Sequence, residues 1–249
     1  AIKTLNYREF DTAQLNVIKE RFFREAEAAG RLNHPNIVTV YDVGEEADLA
    51  FIAMDYVEGK SLDRCVSETA LLPIQEVYEI IIAVADALAY AHQQNIVHRD
   101  IKPGNIMYDQ NSGQVKVADF GIARIVDDSK TKTGDMLGSP VYMSPEQLKG
   151  TRVSGASDIY SLGVTFYQLL TGVLPFSGDS IANLAYQILN KKYVSVRELR
   201  PELSAGVVRV VNKALQKEPS KRYHSAVEMA DAVRSLLNRE CRRDNRKAS

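Results

Sequence analysis

Apolar residues recur at two different periods along this chain, and the change of period divides it. Residues 1–5 read as the edge of a strand. Across residues 15–32, Ile18, Phe22, Phe23 and Ala26 fall at helical spacing with charged residues on the other face, which predicts an amphipathic helix. Asn33-His34-Pro35-Asn36 ends it, because Pro35 disfavours helical geometry at His34. Residues 37–43 and 49–56 then read as two strands about a turn at Gly44-Glu45-Glu46.

After Glu58-Gly59-Lys60 the helical period takes over. Residues 74–93 carry Val77, Ile81, Val84, Ala85 and Leu88 on one face, the signature of a core helix. Short strands are expected at 96–97, 106–107 and 115–117, with Asn111-Ser112-Gly113 turning between the last two. Helices are predicted over 158–170, 181–189, 207–215 and 226–237, and no internal repeat is visible. The organisation is α+β: a small sheet-plus-helix lobe (1–57), a hinge near 55–60, a larger mainly helical lobe (58–238) and a basic tail (239–249).

Composition narrows the possibilities. The 249 residues suffice for one large domain or two small ones sharing a cleft. A net charge of -1 gives no basic excess that would favour nucleic acid as partner. Cys65 and Cys241 lie far apart and form no CxxC pair, as expected of a reduced cytoplasmic protein. The most apolar stretch, 80–91, is short and carries Asp86, so it reads as a packed helix and not a membrane span. The basic run 239–249 reads as a solvated helix end or, alternatively, as a linker beside a membrane span. The opening Ala1-Ile2-Lys3, without Met, leads us to expect a fragment of a longer chain.

The chemistry is concentrated in two short motifs. His98-Arg99-Asp100-Ile101-Lys102-Pro103-Gly104-Asn105 is followed, after one hairpin, by Asp119-Phe120-Gly121. Phosphoryl transfer needs a hydroxyl held in line with a γ-phosphate and cations around the spreading negative charge, and these residue types supply both. Asp100 and Asn105, five positions apart, meet the catalytic-loop pattern. On these motifs the chain resembles the protein-kinase superfamily, and more closely the eukaryotic-like Ser/Thr kinases of bacteria. The resemblance runs from Lys3 to about Leu237.

The resemblance implies the bilobal kinase fold, ATP with Mg²⁺ (or Mn²⁺ in its place) as cofactors, and Ser/Thr proteins as substrates. It implies that Lys3 contacts the α- and β-phosphates and pairs with Glu25, and that Met54, Asp55, Tyr56 and Val57 form the gatekeeper and the adenine-reading hinge. Asp100 would accept the substrate proton, Lys102 would neutralise the transferring phosphoryl group, and Asn105 and Asp119 would ligate the metal. His98 and Phe120 would act by packing. Ser139 would stand beside Asp100 and Lys102. Ser144-Pro145-Glu146 would close the activation segment, with Glu146 paired to Arg222, and Asp158 would hold the catalytic-loop backbone. Among Ser129, Thr131, Thr133 and Ser139, the resemblance marks Thr131 and Thr133 as autophosphorylation sites, with Arg99 as the partner for a phosphate. It would allow self-association for autophosphorylation in trans, and a membrane tether outside this chain.

One part of the pattern is missing. No GxGxxG occurs in the sequence; the family places that phosphate-covering loop upstream of Lys3, and the expectation is that it precedes Ala1. A pseudokinase that only binds and regulates a partner is the rival reading. Intact Lys3, Asp100, Asn105 and Asp119 argue against it, and the hydroxyl-rich activation segment argues against a small-molecule kinase.

Overall fold

The computed structural model describes residues 1–9, 12–67, 69–120 and 140–247, excepting the side chains of 9, 12–14, 17, 21, 24, 25 and 243–247. The small lobe contains β1 (Ile2–Asn6), α1 (Thr12–Gly30), β2 (Val40–Glu46) and β3 (Leu49–Met54). Its sheet is antiparallel in the order β1-β3-β2, and the β1 register sets Lys3 opposite Ile52. Leu5, Tyr7, Ile18, Phe22, Ala26, Ala50 and Ile52 form a core of their own between α1 and the sheet. The helical period of Ile18, Phe22 and Ala26 and the alternation of Ala50 and Ile52 meet there.

The large lobe begins with β4 (Lys60–Ser61) and α2 (Ile74–Gln93), followed by β5 (Ile106–Asp109) and β6 (Gln114–Val117). β4, β5 and β6 make a second antiparallel sheet. Then come α3 (Pro145–Leu148), α4 (Gly155–Thr171), α5 (Ile181–Asn190), α6 (Val196–Leu199), α7 (Ala205–Ala214) and α8 (Ala226–Lys247). α4 is the axis of this lobe: every residue from Ser157 to Thr171 is buried, with α2, α7 and α8 against it. Its apolar residues lie all round the helix, as enclosure by three neighbours requires. Ser154 and Ser157 form a capping box at its start, and Gly172 closes it in the left-handed region at φ 78°.

Several boundaries differ from those predicted. α1 starts three residues earlier, and β2 is displaced three residues along the chain, because Ile37 leaves the small sheet to bridge Val117 in parallel. No strand forms at 96–97. The amide of Ile96 closes the end of α2 on Ala91 O at 2.9 Å, and the amides of His98 and Arg99 are taken by the Asp158 side chain. α8 continues through most of the predicted basic tail.

The lobes are pinned together by the segment after Pro35. Val38 N donates to Val117 O at 2.9 Å, Val117 N to Asn36 O at 2.8 Å, and Asn36 Nδ2 to Val115 O at 2.9 Å. β6 therefore serves both lobes, and its chain continues directly into Ala118-Asp119.

Arg222 and Glu146 lock the far side. Arg222 spends its five N–H donors on Glu146 Oε1 and Oε2 (2.7 and 2.8 Å) and on the carbonyls of Ala156, Gln216 and Lys217. Ser157 Oγ adds a bond to Glu146 at 2.7 Å, and the guanidinium lies 4.9 Å from the Tyr160 ring. Burial alone would raise the Glu146 carboxyl, but the bonds from Arg222 and Ser157 outweigh it and hold it below its ordinary value. Removing one partner of such a pair leaves an uncompensated buried charge. Arg222→Ala should therefore destabilise the chain by about 3–5 kcal/mol, read as a lowered urea midpoint. An unchanged midpoint would refute this role.

Candidate active site

The loop from His98 to Asn105 has little regular structure until the short turn Pro103–Asn105. What fixes it is Asp158, fully buried in the first turn of α4. Its Oδ1 accepts the Arg99 amide at 2.7 Å; its Oδ2 accepts the His98 amide at 2.9 Å and stands 2.8 Å from His92 Nε2. Arg99 sits in the left-handed region at φ 70°, which costs a non-glycine residue about 1–2 kcal/mol. The charge-assisted bonds to Asp158 offset that cost.

His98 joins the two motifs. Its Nδ1 accepts the Asp100 amide at 3.2 Å, so Nε2 carries the proton and donates to Ala118 O at 2.9 Å. Its ring packs against Phe120 with centroids 4.5 Å apart. Asn105 makes a second link, because its carbonyl accepts the Ala118 amide at 2.9 Å.

Asp100 Oδ2 receives Lys102 Nζ at 2.8 Å and Asn105 Nδ2 at 2.9 Å, and Asn105 Nδ2 also donates to Asp100 O at 2.8 Å. Across the cleft, Lys3 on β1 donates to Asp119 Oδ1 at 2.7 Å. The Asp100–Lys102–Asn105 cluster and the Lys3–Asp119 pair are thus joined through His98 and Ala118. Asp119 takes a left-handed φ of 62°, a turn that carries the chain out of β6.

Other residues named from sequence are distributed as follows. Met54 ends β3, and Asp55, Tyr56 and Val57 continue between the lobes without regular structure. Glu25 lies on α1 and its side chain is outside the described set, so the described partner of Lys3 is Asp119. Ser129, Thr131, Thr133 and Ser139 fall outside the described residues.

Among the described residues no three His, Cys, Asp or Glu side chains gather as a metal cage. Asn105 and Asp119 nonetheless carry donors of the type Mg²⁺ takes. The described hydrogen bonds engage Asn105 Nδ2 and Asp119 Oδ1, and the remaining oxygen of each side chain is the kind that would ligate a hard cation.

Sequence reasoning missed the support of the hinge. Asp55 Oδ2 accepts Lys116 Nζ at 2.9 Å and the Thr39 amide at 3.2 Å, while its Oδ1 accepts the Tyr41 hydroxyl. Lys116 also reaches Ile37 O at 3.3 Å. The available signal was a lone Lys between the inward Val115 and Val117 of β6. Burial would raise the Asp55 carboxyl, yet Tyr41, Lys116 and Thr39 outweigh it and hold it well below the usual carboxylate range.

With this geometry in view, the comparisons with known proteins assign the class. The model of the protein kinase domain family matches residues 1–234, and the chain belongs to that family. It is 41% identical over 239 residues to the serine/threonine-protein kinase PrkC of Bacillus subtilis (strain 168), covering 96% of this chain and 36% of that protein. To the serine/threonine-protein kinase PknB of Mycobacterium tuberculosis (strain H37Rv) it is 44% identical over 222 residues, 86% of this chain and 35% of the relative. It thus spans about a third of the length of these curated relatives. The crystal structure of the Mycobacterium tuberculosis PknI kinase domain superposes with a TM-score of 0.72 at 33% identity, over 94% of this chain and 84% of that one. Rad53 1-466 in complex with AMP-PNP superposes at 0.75 and 27% identity, over 93% and 56%. No helix among the described residues is long and apolar enough to cross a membrane.

The hinge network makes a pH prediction. Folded Asp55 stays ionised at pH values where the unfolded chain, with an Asp pKa of about 3.9, has begun to take up a proton. Its stabilisation is complete above that range and is lost as pH falls through it towards the depressed folded value. The gap in melting temperature between the parent and Asp55→Asn should be widest near neutral pH and narrow on acidification. A gap independent of pH would count against the network.

Proposed function

We propose that this chain is the catalytic domain of a Ser/Thr protein kinase that moves the γ-phosphoryl group of ATP to a protein hydroxyl. The observation that carries the reading is the Asp100 carboxylate, held by Lys102 and Asn105 and tied through His98 and Ala118 to Asp119. The hydroxyl oxygen attacks the γ-phosphorus, the bond to the β–γ bridging oxygen breaks, and ADP leaves. Asp100 orients the hydroxyl and receives its proton; because the transition state is loose, an ordinary carboxylate suffices. Lys102 faces the charge on the group in flight, and Lys3 serves the α- and β-phosphates. Mg²⁺ held by Asn105 and Asp119 would neutralise the phosphate oxygens. The segment after Met54 would offer backbone groups of Tyr56 and Val57 to adenine, with Asp55 occupied in fixing that segment.

The Ser/Thr preference is supported by Lys102 two residues after Asp100 and by the similarity to kinases so named. As part of the same proposal, phosphate on Thr131 or Thr133 raises activity, two copies meeting to phosphorylate each other. The protein works in the cytoplasm, with any membrane tether in a segment outside these residues.

The test is phosphosite mass spectrometry of the full-length protein after incubation with Mg-ATP, beside its Asp100→Asn variant. Phosphate on Thr131 or Thr133 is expected in the parent, with transfer to protein substrate falling at least about a hundredfold in Asp100→Asn. A folded parent that carries no phosphate would favour the pseudokinase. Undiminished activity in Thr131→Ala/Thr133→Ala would refute the switch.

A further inference from the structure

We propose that Gln147 is a positioning residue for Asp100, coupling the segment after residue 139 to the catalytic loop. The inference rests on the kinase reading above. Gln147 stands in α3, next to Glu146, whose carboxylate is locked to Arg222 in the large-lobe core. Its own backbone is thereby anchored. Its side chain is used at both ends. Oε1 accepts from Ser144 N and from Ser144 Oγ, at 3.0 Å each, as half of the capping box that starts α3. Nε2 then projects away and donates to Arg99 O at 2.8 Å, across 48 residues of sequence.

That carbonyl belongs to the Arg99–Asp100 peptide, whose N–H is the one donated to His98 Nδ1 at 3.2 Å. The peptide is therefore gripped on one side by His98 and on the other by Gln147. Its orientation sets the direction in which the Asp100 side chain leaves the backbone. A grip is needed because Arg99, on the same peptide, is held at a positive φ of 70°. Asp158 secures the amide on the other side of Arg99 at 2.7 Å, but it does not reach the carbonyl. Without the Gln147 donor, rotation of this peptide would relieve the strain and swing Asp100 away from the hydroxyl. Small misplacements of a reacting group are costly, because the catalytic effect here is mainly positional.

The cap and the donor can be separated. In Gln147→Glu a carboxylate keeps the capping box, for which Glu is as well suited as Gln, but sets an oxygen against Arg99 O. Ser144→Ala does the converse, weakening the cap and leaving Nε2 in place. Steady-state kinetics of the full-length protein with Mg-ATP and a Ser-containing peptide, together with melting temperatures, distinguish the roles. For Gln147→Glu we expect kcat to fall roughly tenfold or more, with KM for ATP, KM for peptide and Tm unchanged. For Ser144→Ala we expect Tm to fall by about 2–4 °C with kcat kept. Gln147→Glu at the parent's kcat, or losing kcat only in step with Tm, overturns the inference and leaves the kinase reading intact. A parent no more active than its Asp100→Asn variant overturns both.

Discussion

The carboxylate of Asp158 is the constraint from which the rest of the site hangs. It is fully buried on a helix that is itself buried on all sides, and a charge in that position persists only if it is fully hydrogen-bonded. The groups that satisfy it are the amides of His98 and Arg99 together with His92 at the end of α2. The demand is therefore mutual. The carboxylate needs the loop amides, and the loop needs the carboxylate to remain in a left-handed turn. Everything else that touches Asp100 acts on a loop already placed by α4.

The second constraint is that β6 belongs to both lobes. Its backbone receives the segment after Pro35, its Lys116 side chain reaches Asp55 in the hinge, and its continuation carries Asp119 to Lys3. The Lys3–Asp119 pair and the segment after Met54 are thus both measured from one strand. A shift of the small lobe relative to β6 would move Lys3 and the hinge together, whereas Asp100 is referenced to α4. His98 closes the frame by spanning from the Asp100 amide to Ala118 O.

The parts of this arrangement legible in sequence were those whose chemistry demands particular atoms at short separation. Asp100, Lys102 and Asn105 lie within one loop, and the structure brings all three into contact. α2, with its clear apolar stripe, was legible for the same local reason. The strand expected at 96–97 was not there, because the Ile96 amide is used to close α2 on Ala91 O. The amides of His98 and Arg99 that follow are claimed by Asp158, about 60 residues away, and no pattern at short range encodes that. Lys116, Tyr41 and Gln147 escaped for a related reason. Each reads as an ordinary surface residue, and each acquires its role from a partner that only the tertiary fold brings near.

Burial also separates the ion pairs of the site by what they can do. Lys3–Asp119 and Lys102–Asp100 have side chains 38%/24% and 22%/26% exposed, so water screens both. Pairs of that kind are worth about 1 kcal/mol or less. Under the proposed kinase reading, a nucleotide triphosphate would draw both ammonium groups towards itself at little cost to the fold, and lysines already held in ion pairs would lose less entropy in doing so. Glu146–Arg222, at 7% and 0% exposure, is the opposite case: its partners cannot be exchanged without stranding a charge in the core. The chain thus places exchangeable pairs where charge must move and fixed pairs where geometry must not. Gln147 stands one residue beyond the fixed pair and reaches the loop that bears the exchangeable one.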